Sequence, residues 1–170
     1  MSAADVVAVL RGLAVLPVIG TLAAERRDIA LAIFLVAAAS DAVDGWLARR
    51  AGQLGARGAF LDPLADKILV LGTLVALVLV PGSGWPLALV TVFIFARELI
   101  VVSARARSLM RDDVVSADPI AKAKTVLEMV GVALVIFGGR PWSVLGVGLL
   151  GVAFLVGVLT LPRYFRRRLT

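Results

Sequence analysis

The chain has 170 residues, 61% of them hydrophobic, a mean hydropathy of +1.00 and a formal net charge of +6. It contains no cysteine and no histidine, which excludes disulfides, thiolate or imidazole metal ligands, thiol nucleophiles, Ser-His-Asp triads and phosphohistidine intermediates. Such apolarity exceeds that of soluble domains and leaves carboxylates, hydroxyls, Lys, Arg or an oxygen-held metal to carry any chemistry.

Six apolar stretches near or above helix-spanning length follow one another, at roughly 5–24, 29–48, 59–80, 86–106, 119–138 and 142–162. Each is bounded by charge, Pro or Gly. The first contains Arg11 and has no basic leader before it, so a retained span is expected rather than a cleaved signal. The second ends in Asp41 and Asp44, and the third opens with Asp62 and Asp66. The fourth holds Arg97-Glu98, and the fifth opens with Ala121-Lys122-Ala123-Lys124-Thr125. The sixth carries Gly146, Gly148 and Gly151, a weak candidate for a helix-packing or dimer face. No linker separates these stretches. The expected fold is all-α, a polytopic membrane protein of six transmembrane helices, with residues 1–170 as a single domain.

Basic residues gather in alternate connections. Arg49, Arg50 and Arg57 follow the second stretch, Arg105, Arg107 and Arg111 the fourth, and Arg163, Arg166, Arg167 and Arg168 form the tail. The intervening connections hold Arg26 and Arg27, flanked by Glu25 and Asp28, and Arg140. Positive-inside bias therefore puts both termini on the cytoplasmic side of a cell membrane. The basic tail is expected to meet anionic headgroups and not nucleic acid.

One pattern stands out: Asp41-x2-Asp44-Gly45-x2-Ala48-Arg49-x8-Gly58-x3-Asp62-x3-Asp66. Its four carboxylates fall in otherwise lipid-like helix, where charge is costly and persists mainly where it serves a ligand or ion. Asp41 and Asp44 share a helix face, as do Asp62 and Asp66. Two helices joined by a short loop can bring all four together, and their mutual repulsion then calls for cations or protons. Hard divalent ions prefer such oxygen donors, and a pair of them can clamp a phosphoryl transfer. Gly45, Ala48 and Gly58 read as clearances for a ligand, and Arg49 as a phosphate partner. Taken singly, the small residues are packing positions, Arg49 and Arg50 a cytoplasmic flank, and Asp62-Pro63 a helix start. None of those readings explains four carboxylates in register.

A second cluster is basic. Arg97 and Arg105 lie about two turns apart, with Lys122 and Lys124 at the start of the next stretch. Together they suit an acceptor that carries phosphate. Alternatively, Glu98 or another acid neutralises Arg97, and the remaining cations snorkel to the interface. Arg11 is open to the same two readings: it joins this pocket or pairs with a carboxylate.

The acidic pattern matches every defined position of the signature of the CDP-alcohol phosphotransferases, and the chain resembles that family over its whole length. The resemblance implies six membrane helices, with the signature on the second and third. It implies a homodimer and a dependence on Mg²⁺ or Mn²⁺, with two ions per site. Asp41, Asp44, Asp62 and Asp66 would hold metal, and Asp66 would also act as the catalytic base. Asp44, Gly45, Ala48, Arg49 and Gly58 would bind the CDP moiety of CDP-diacylglycerol. Ala96-Arg97-Glu98 and Lys122-x-Lys124-Thr125 further resemble the branch whose acceptor is glycerol 3-phosphate, held by Arg97, Arg105, Lys122 and Lys124. Ala121 and Glu128 stand where that branch has Gly and Gln, and of its N-terminal P-N-x-L-T-x2-R element Arg11 remains. Branches making cardiolipin or phosphatidylinositol phosphate stay open. So does a different class, a cation-coupled transporter, since intramembrane acids also line ion paths.

Overall fold

A computed structural model describes the backbone of residues 3–51, 58–109 and 119–166, and side chains over 6–40, 64–104, 120 and 123–161. The described residues are helical or in short turns, with helices α1 (Ala3–Leu13), α2 (Val15–Ala23), α3 (Arg27–Ala51), α4 (Gly58–Leu79), α5 (Trp85–Leu109), α6 (Pro119–Phe137) and α7 (Arg140–Arg166). Among the described residues, three helical stretches, Val6–Ala23, Trp85–Ala104 and Arg140–Leu161, are long and apolar enough to cross a membrane.

The first expected stretch is divided into α1 and α2. Pro17 explains the break, because it lacks the N–H that would bond the carbonyl of Leu13 and its ring crowds that turn. The helical path still continues, since Ala14 N donates to Leu10 O at 2.9 Å and Val18 N to Ala14 O at 3.3 Å. At the end of α2, Arg26 N donates to Thr21 O and Glu25 N to Leu22 O, at 2.8 and 3.0 Å. This paired closure stops the helix with Glu25 in the left-handed region at φ 57°. Arg49 and Arg50, expected in a loop, instead occupy the last turn of α3, and α4 starts at Gly58, upstream of Asp62-Pro63.

Helix α4 is the hub, packing against α1, α2, α3, α5 and α6. Its Leu69, Leu74 and Leu77 meet Val18, Phe34, Ile94, Val132, Ile136 and Leu150 in one continuous apolar core. Helices α6 and α7 come into tight contact at two glycines. A Cβ on Gly146 would fall 2.7 Å from the carbonyl oxygen of Gly131, and one on Gly131 would fall 2.9 Å from Leu150 Cγ. Small residues here let the two backbones nearly touch. Gly148 and Gly151 face open space instead. The turn between α6 and α7 uses Gly138 and Gly139, both at positive φ, and Arg27 donates to Val135 O over it at 3.4 Å.

Part of the polarity is inverted. Large apolar side chains such as Leu16, Val36, Val92, Val144 and Leu159 are exposed, whereas Arg11, Arg97, Glu98, Lys124 and Glu128 are buried. Water would drive the opposite arrangement. A hydrocarbon solvent permits it, since the apolar surface then costs nothing and charges must find partners inside.

Candidate active site

Helices α3 and α4 carry the acidic pattern. Asp41, Asp44, Gly45, Ala48 and Arg49 are on α3, while Gly58, Asp62 and Asp66 are on α4. The side chains of Asp41, Asp44, Ala48, Arg49 and Asp62 lie outside the described residues, and so do those of Arg105 on α5 and Lys122 on α6. Asp66, Arg97 and Lys124 are described, and each is held by a defined partner.

Arg11 organises the acidic end. It projects from α1, which packs against both α3 and α4, and is 3% exposed. Its Nη1 donates to Asp66 Oδ1 at 3.0 Å and its Nε to Ser40 Oγ at 3.3 Å. Ser40 immediately precedes Asp41. One guanidinium thus ties the start of the pattern on α3 to its last carboxylate on α4. Of the two readings open for Arg11, pairing with a carboxylate is the one observed.

One helical step beyond Asp66, about 100° around α4, Lys67 leads to the second cluster. Its Nζ lies 2.6 Å from Glu98 Oε2 on α5. Glu98 Oε1 accepts from Arg97 Nη1 at 2.5 Å and also pairs with Lys124 Nζ from α6. Lys124 Nζ lies in addition 2.9 Å from Glu128 Oε1, one turn along α6. Arg97 continues to α7, where Nη2 donates to Gly157 O and to Thr160 Oγ1, both at 3.2 Å. Thr160 Oγ1 itself donates to Gly157 O at 2.8 Å. Gly157 makes this approach possible, for a Cβ there would fall 2.9 Å from Arg97 Nε and 3.4 Å from Lys124 Cδ.

Arg97 and Lys124, expected together from the sequence, do come together, and Glu98 is what joins them. Sequence reasoning missed Lys67 and Gly157. The signal for Lys67 was present, as a lysine entering the apolar run Ile68-Leu69-Val70 directly after the last pattern carboxylate. Gly157 had no such signal, being one of several glycines in a helix rich in them.

Among the described residues, Asp66 with its Arg11 partner and the cluster around Glu98 are thus carried on consecutive positions of α4 through Asp66 and Lys67. The family model for CDP-alcohol phosphatidyltransferase matches residues 1–160. The chain belongs to that family. Among curated members of the CDP-alcohol phosphatidyltransferase family it is similar to the CDP-diacylglycerol–glycerol-3-phosphate 3-phosphatidyltransferase of Shigella flexneri. That protein is 39% identical over 135 residues, 76% of this chain and 70% of the relative. The Escherichia coli protein of the same name matches to the same extent. A probable phosphatidylglycerophosphate synthase of Mycobacterium tuberculosis is 36% identical over 144 residues, 84% of this chain and 67% of the relative.

Proposed function

We propose that this chain transfers the phosphatidyl group of CDP-diacylglycerol to sn-glycerol 3-phosphate, releasing CMP and phosphatidylglycerophosphate. The observation that supports the reading is that Arg11 bonds both Ser40, the residue before Asp41 on α3, and Asp66 on α4. The names of the relatives supply the donor and acceptor.

The donor set suits a divalent ion. Asp41, Asp44, Asp62 and Asp66 offer oxygen ligands alone, the preference of Mg²⁺ or Mn²⁺. When bound there, such ions, two in this reading, supply charge neutralisation for the diphosphate and the departing CMP. Gly45, Ala48 and Gly58 give the cytidine diphosphate room beside the backbone, and Arg49 pairs with its phosphate. Arg97, Arg105, Lys122 and Lys124 hold the acceptor phosphate and so orient its primary hydroxyl. Asp66 takes the proton of that hydroxyl. The alkoxide oxygen bonds the phosphorus that bears diacylglycerol, and the bond from this phosphorus to the CMP oxygen breaks. Positioning and fixed charge do most of the work in such transfers.

The same proposal includes six spans in one domain over residues 1–170, with both termini and the site facing the cytoplasm of a cell membrane. Trp85 and Trp142, exposed at the starts of α5 and α7, fit an interfacial aromatic belt. A homodimer completes it, with Gly148 and Gly151 on the open face of α7 free for a partner helix.

The test is CMP release from CDP-diacylglycerol by purified protein with Mg²⁺ or Mn²⁺, offering glycerol 3-phosphate, inositol 1-phosphate or phosphatidylglycerol in parallel. Release with glycerol 3-phosphate alone is the expected result. Release with another acceptor overturns the acceptor assignment. Ion-coupled flux without CMP release overturns the reaction class and favours transport.

A further inference from the structure

Glu98 stands where three cations from three helices meet. Lys67 comes from α4, Arg97 from α5 and Lys124 from α6, and all lie within ion-pair distance of its two carboxylate oxygens. The side chains of Glu98, Arg97 and Lys124 are 4–6% exposed and that of Lys67 is 17% exposed. Like charges this close repel strongly when removed from water, so without an anion among them the three side chains would spread apart. Glu128 offsets Lys124 as well. Among the described residues, three cations and two carboxylates from three helices thus meet in one buried cluster. Its carboxylates hold the shape, and its cations carry N–H donors of the kind a phosphate accepts from. Lys67, its most exposed member, follows Asp66 directly on α4, so the cluster and the candidate base share one turn of that helix, about 100° apart around it.

We propose that Glu98 is a positioning residue that assembles Lys67, Arg97 and Lys124 into one phosphate-binding cluster, with Lys67 as a further cation contacting the acceptor phosphate. This rests on the phosphatidyl-transfer reading for the identity of the acceptor. It differs from a purely electrostatic role in the sign of one effect. If the Glu98 charge merely offset the cations, neutralising it would strengthen anion binding. If Glu98 holds the cations in place, neutralising it weakens binding although the cluster gains positive charge.

The experiment measures binding of radiolabelled glycerol 3-phosphate to the purified full-length protein in detergent, with CMP release followed in the same preparations. Glu98→Gln is expected to bind at least tenfold more weakly than wild type, and Glu98→Asp to recover part of the loss. CDP-diacylglycerol should raise the melting temperature of wild type and Glu98→Gln equally. Equal or tighter glycerol 3-phosphate binding by Glu98→Gln overturns the proposal. Should Glu98→Gln fail to fold, Lys67→Met carries the test: at least fivefold weaker binding supports the proposal, and unchanged binding overturns it. Wild-type protein that does not bind glycerol 3-phosphate also overturns it. The reaction class is judged separately, by whether that same wild-type preparation releases CMP with any acceptor.

Discussion

Arg11 Nη1 and Asp66 Oδ1 are 3.0 Å apart, an ion pair between residues 55 positions apart in the chain. Both belong to the bundle interior, the arginine side chain 1% and the aspartate side chain 16% exposed. Breaking a buried pair by removing one charge typically costs about 3–5 kcal/mol. Arg11→Met is therefore expected to lower the unfolding temperature in detergent markedly and to reduce CMP release at least tenfold. Arg11→Lys should restore stability better than activity, because an ammonium cannot reach Ser40 and Asp66 with the same fixed fork. Wild-type stability in Arg11→Met would show that the pair contributes nothing.

Asp66→Asn keeps the shape of the side chain and removes its ability to take a proton. Turnover should fall by at least a hundredfold, within the range typical of lost general-base catalysis. Binding of CDP-diacylglycerol should survive in part, and equilibrium binding beside steady-state rates would separate the two effects. A variant turning over at near wild-type rate would remove Asp66 from the role of base.

Gly157→Ala puts a methyl group 2.9 Å from Arg97 Nε, inside the contact distance of the two atoms. The guanidinium must shift, and its bonds to Gly157 O and Thr160 Oγ1 shift with it. Overpacking of this kind costs about 1–3 kcal/mol. The expected kinetic signature is a raised KM for the acceptor with the KM for CDP-diacylglycerol unchanged. Equal changes in both constants would mean that Arg97 does not serve the acceptor.

The glycines of α7 should divide by position. Gly146→Ala would press its Cβ to 2.7 Å from the Gly131 carbonyl, a backbone atom that cannot swing away, so thermal unfolding in detergent should detect a clear loss. Gly148→Ala and Gly151→Ala meet open space and should be neutral or stabilising by up to about 1 kcal/mol, the usual helix preference of Ala over Gly. If these two positions pack against a second copy, the same substitutions should lower the dimer fraction in crosslinking without unfolding the chain.

Hydropathy made the helices legible, since α3 to α7 lie within a few residues of the stretches expected at 29–48, 59–80, 86–106, 119–138 and 142–162. It passed over the division at Ala14 because an apolar count does not register the missing N–H of Pro17. The acidic pattern was legible because spacing along two helices fixes which residues share a face. Pairing was not. Arg97 had both a neighbouring acid and a possible ligand to answer to, and only the side chains arriving from α4 and α6 show Glu98 shared among three cations. Gly157 was hidden for the same reason: its importance lies in what approaches it, a guanidinium 60 positions away.

Asp66 and Lys67 lock α4 like a key with two teeth. The first engages Arg11 on one side of the helix, and the second engages Glu98 on another. Rolling α4 about its axis strains both contacts, since they lie on different sides of the helix. Any motion that parts α4 from α1 or from α5 therefore breaks a buried ion pair, so these three helices are tied to move together and not past one another.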